Sequence, residues 1–64
     1  MEWIECKYQM PNNSDIINVK FNNNRILKAE YLNEDFYEID EEYTGMSGAK
    51  LKKSNIREWS KSNG

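Results

Sequence analysis

Along most of the chain apolar and polar side chains alternate with a period of two, the spacing of strands rather than helices. Trp3 to Tyr8 alternates with Ile4, Cys6 and Tyr8 on one face. Pro11 to Asp15 reads as a loop, because proline lacks a donor and Asn, Ser and Asp bond back to nearby backbone. Ile16 to Phe21 is the clearest strand, with Ile17, Val19 and Phe21 inward. Asn22-Asn23-Asn24 then predicts a tight hairpin turn, since asparagine tolerates positive φ. Arg25 to Tyr31 returns as its partner, Asn33-Glu34-Asp35 turns again, and Phe36 to Asp40 forms the next strand. Glu41 to Ser54 is expected to be mostly loop, and Ile56 to Trp59 a short closing strand.

The fold class that follows is mainly β: a small antiparallel sheet of four or five strands, a hairpin meander with a long glycine-containing loop before the last strand. Residues 1–59 form a single domain, and 60–64 a polar tail expected to fray. Trp3, Phe21 and Tyr31 are assigned to the core. A sheet this small has one apolar face that needs a cover. The tryptophans are expected to supply part of it and a second copy of the chain the rest, so a homo-oligomer, simplest as a homodimer, is anticipated.

Size and composition sharpen this picture. At 64 residues the chain sits where burial only just offsets conformational entropy, so added burial from a partner or ligand is expected. Its 38% hydrophobic content, with two Trp, four Tyr and two Phe, is too aromatic for a disordered tail. The net charge of −2 hides three blocks: +1 over residues 1–29, −7 over 30–42 and +4 over 50–64. One cysteine, Cys6, permits no internal disulfide, and no signal-like or membrane-length apolar run occurs, so a cytoplasmic setting is expected.

Trp3-Ile4, Pro11, Ile17-Asn18-Val19, Lys28-Ala29-Glu30-Tyr31, the pair Phe36-Tyr37 and Ile56-Arg57-Glu58-Trp59 span nearly the whole chain. In this order they resemble a small phage- and prophage-encoded domain family of unknown function. Its members open on Trp-Ile, carry an "IAEY"-like strand and close on a "V-T-H-W"-like end. Glu58 stands where that family has a histidine, and Ser60 to Gly64 replaces its proline-rich ending. The resemblance implies a phage accessory protein acting in the cytoplasm of an infected bacterium, and small accessory proteins of this kind often counter host defence.

The residue inventory excludes much chemistry. With no histidine and one cysteine, zinc sites and Ser-His-Asp or Cys-His nucleophiles are ruled out, and no EF-hand spacing is present. A non-enzymatic protein without metal or cofactor is expected. The stretch around Thr44-Gly45-Met46-Ser47-Gly48 is a candidate anion cradle, because glycines let backbone N–H groups approach a phosphate. Tyr43 and Trp59 would stack on a base, and Thr44, Ser47, Lys50, Lys52 and Arg57 would complete the contacts. Joined to the phage resemblance, this implies a nucleotide-type immune signalling molecule as ligand, bound and sequestered, with no membrane or direct nucleic-acid partner. The alternative is a protein–protein inhibitor of a defence complex, of the anti-CRISPR type. There Glu34, Asp35, Glu38, Asp40, Glu41 and Glu42 would mimic the phosphates of a nucleic acid.

Overall fold

The computed structural model describes residues 2–39 and 48–62. Five strands, β1 (Ile4–Glu5), β2 (Ile16–Phe21), β3 (Ile26–Leu32), β4 (Asp35–Glu38) and β5 (Ile56–Lys61), form one antiparallel sheet in the order β1-β5-β2-β3-β4. The mainly β class read from the alternation is what the chain adopts. Among the described residues the only helix is a single 3₁₀ turn over Lys53–Asn55, and no helix is long and apolar enough to cross a membrane.

Both asparagine turns form by the chemistry their residues suggest. After Phe21 the loop Asn22-Asn23-Asn24 closes with Asn24 N–H donating to the Phe21 carbonyl at 2.8 Å, and Asn24 sits at φ 69°. That is a type I turn followed by a left-handed residue. Between Leu32 and Asp35 only Asn33 and Glu34 intervene, at φ 50° and 69°, the two-residue hairpin whose twist matches the strands.

Strand alternation then sorts the side chains. Cross-strand neighbours Ile17 and Ala29, Val19 and Trp59, and Tyr31 and Phe36 all lie buried on one face, joined by Ile56. The Tyr31 and Phe36 rings pack at 5.0 Å between centroids. A bulge in β5 makes this possible: Lys20 pairs with Glu58 but Phe21 with Ile56, so Arg57 is an extra residue. Ile56 and Trp59, three apart, can therefore both face inward while Arg57 and Glu58 do not.

The cover of this face comes from the chain itself. Residues 6–11 fold over one half, where Cys6 and Met10 pack on the core and Pro11 is buried. The expected strand through Tyr8 ends early, because Tyr8 and Gln9 N–H both turn back to the Glu5 carbonyl, at 3.0 and 3.2 Å. Residues 48–55 cover the other half. They hydrogen-bond along β4, with Leu51 N–H donating to the Phe36 carbonyl at 2.7 Å, then cross to the β2–β3 turn, where Asn22 N–H donates to the Asn55 carbonyl at 2.8 Å. Leu51 packs against the core on the way. Much of the expected loop is thus an ordered strap.

Three further expectations change. Trp3 lies half-buried outside the core cluster, because Ile4 pairs with Trp59 and alternation turns Trp3 to the opposite face. There the Lys20 ammonium stands 4.3 Å over its ring. Phe21 is only partly buried, packed against the core rather than within it. β5 also runs on to Lys61, with Ser60 3% exposed, so the first two residues of the expected tail belong to the sheet.

Candidate functional site

The structure divides the candidate site residues among several places. Tyr43, Thr44, Gly45 and Ser47, with Asp40, Glu41 and Glu42 of the acidic alternative, lie outside the described residues. Gly48 is described, and its role is packing. Its N–H donates to the Glu38 carbonyl at 2.7 Å and so is not free for an anion. A Cβ built there would overlap that carbonyl oxygen and lie 3.1 Å from its carbon, so only glycine lets the strap approach β4 this closely. Lys50 bridges to Tyr37 across β4 and its ammonium is 3.5 Å from Asp35, while Lys52 is exposed just before the 3₁₀ turn.

Trp59 offers no face to a base. It is 2% exposed, and its indole N–H donates to the Gln9 carbonyl at 2.7 Å, fastening the 6–11 cover onto the sheet. Arg57, at the bulge, donates to Asn24 Oδ1 at 2.7 Å and lies 3.5 Å from Glu58. Two strands, β2 and β3, separate it from β4, so Lys50 and Arg57 do not converge on one ligand. The described acidic candidates do not share one face either. Glu34 is exposed in its turn, Asp35 pairs with Leu32 and salt-bridges Lys50, and Glu38, three residues on, lies on the core side beside Ala29.

A groove does form on the covered face, between the two covering segments. It holds about 560 Å³; Met10, Phe36 and Ile56 provide apolar wall and Lys7 and Lys53 cationic residues, while Arg57, whose guanidinium is engaged by Asn24 and Glu58, also borders it. Among the described residues neither the Lys7 nor the Lys53 ammonium is ion-paired. Lys7 is held at the edge by the exposed ring of Tyr8, with 5.2 Å from ammonium to centroid. Glu5 is the opposing charge, and Cys6 also lines the groove. Burial pushes the Cys6 thiol above its ordinary value; a backbone hydrogen bond opposes this and the Glu58 carboxylate adds to it, so the thiol is a poor nucleophile.

Lys7 and Lys53 were not singled out in the sequence. They are 46 positions apart, and only the turn at 6–9 and the 3₁₀ turn bring them to one opening. Among the described residues no group of three or more cysteine or carboxylate side chains could hold a metal. Comparison with known proteins gives no family model, no curated protein and no solved structure that matches the chain.

Proposed function

We propose that this chain is a small non-enzymatic phage or prophage protein that counters bacterial defence by binding and sequestering a nucleotide-type signalling molecule. The setting rests on the resemblance of its strand motifs to the phage-encoded family. The observation that carries the binding reading is the groove at Lys7 and Lys53, where two ammonium groups with no ion partner among the described residues border an apolar wall. Such a site suits a phosphate joined to a less polar body. This reading centres the ligand on the two covering segments rather than on Gly48, whose N–H is taken by the Glu38 carbonyl.

Titration calorimetry against cyclic and ADP-ribose-type messengers tests this. Hydrogen bonds to charged groups contribute about 1.5–3 kcal/mol each, so Lys7→Glu with Lys53→Glu should weaken binding at least about 100-fold. Lys61→Glu, outside the groove, should leave it unchanged. Heat from none of the messengers would overturn the reading.

A further inference from the structure

A second groove opens on the other side of the 3₁₀ turn, and Asn22 lines both. It holds about 510 Å³, with Phe21, Leu27 and Leu51 as its apolar wall and Arg25, Glu38 and Asn55 as its polar residues. Its charges are opposite and unspent. Among the described residues no hydrogen bond or ion pair engages the Arg25 guanidinium, the Glu38 carboxylate or the Asn55 amide.

A carboxylate and a guanidinium beside an apolar wall favour a flat ligand with paired donors on one edge and paired acceptors on another. Guanine has that arrangement. Its N1–H and N2–H₂ group suit a carboxylate, and its O6 and N7 accept from the arginine fork. Adenine carries one donor and one acceptor on each comparable edge, which would leave an acceptor facing Glu38. We propose that this groove holds the base of the captured nucleotide and that the base is guanine. The inference rests on the nucleotide reading above, since it places the phosphate of the same ligand across Asn22, at Lys7 and Lys53.

Titration of the full chain with guanosine, inosine and adenosine 5′-monophosphates, and with inorganic pyrophosphate, separates the two statements. Guanosine monophosphate should bind about tenfold or more tighter than adenosine monophosphate, with inosine monophosphate between them for want of the N2 amine. Glu38→Gln should erase the preference and leave pyrophosphate affinity within about twofold, because pyrophosphate touches only the lysine groove. Arg25→Met, at an exposed turn position, provides an independent variant with the same expected loss of preference. Equal binding of the three nucleotides, with pyrophosphate still bound, would overturn the guanine assignment and spare the phosphate groove. Absence of binding by all four probes would overturn both. Heat from a free α-amino acid but not from guanosine monophosphate would reassign the groove to zwitterions and likewise overturn it.

Discussion

Replacing Gly48 by alanine asks whether this glycine serves an anion or the sheet. The added methyl would meet the Glu38 carbonyl, which is backbone in β4 and cannot rotate aside. The strap must then retreat, which breaks or lengthens the Gly48 N–H to Glu38 bond and the Glu38 N–H to Ala49 bond of 3.0 Å. Two backbone bonds at about 0.5–1.5 kcal/mol each amount to about 1–3 kcal/mol, partly offset by about 0.4–1 kcal/mol from the stiffer unfolded chain. A net loss of about 1–2 kcal/mol should lower Tm by roughly 5–15 °C in a domain of this size. Thermal unfolding followed by circular dichroism reads this directly. If Tm stayed within about 1 °C while anion binding fell, the glycine would be a ligand contact and the packing account would be refuted.

Trp59→Phe removes the bond to Gln9 and part of a fully enclosed ring, so stability measured in urea should fall by about 1–3 kcal/mol; an unchanged midpoint would mean that the 6–11 cover is held by something else. Glu34→Gly relieves a left-handed conformation in an exposed turn and should raise stability by about 1 kcal/mol, where a decrease would contradict the turn geometry. Burial raises the Cys6 thiol, and burial followed by the Glu34 and Asp35 carboxylates raises the Tyr31 hydroxyl. Both groups therefore hold their protons more tightly when folded. Their contribution is complete below the unfolded values of about 8.5 and 10 and is lost as pH rises through the higher folded ones, so Tm should fall through the alkaline range. A Tm that rose there would reverse the sign of the linkage.

The strands and their hairpins were legible because each signal is local. Alternation in Ile16 to Phe21 and the asparagines at 22–24 and 33 act within a few residues of themselves. What the pattern could not convey depends on pairings across the chain. Arg57 becomes an extra residue only against β2, and that single insertion turns Trp59 from a plausible stacking surface into core. Trp3 moved the other way when Ile4 took the inward position opposite Trp59. Gly48 reads like a loop glycine until β4 is seen to lie against it. The lysine groove joins two segments that no local spacing relates, and Glu34, Asp35 and Glu38 look like one surface only while alternation is ignored.

The position of β5 between β1 and β2 governs when the molecule can be completed. In folding, β2, β3 and β4 can pair through their local hairpins, but β1 has no neighbour until residues 56–61 insert, and until then β2 shows an unpaired edge of Ile16 to Phe21. Bare edges of this kind invite pairing with other chains. A chain in which β5 has yet to insert is consequently the form most exposed to aggregation, and that strand also brings Ile56 and Trp59 to the half-built core. Late insertion of a central strand makes folding nearly all-or-none with respect to the C-terminal segment. A chain truncated before Ile56 would retain only the β2–β3–β4 meander, with no floor for either groove to share.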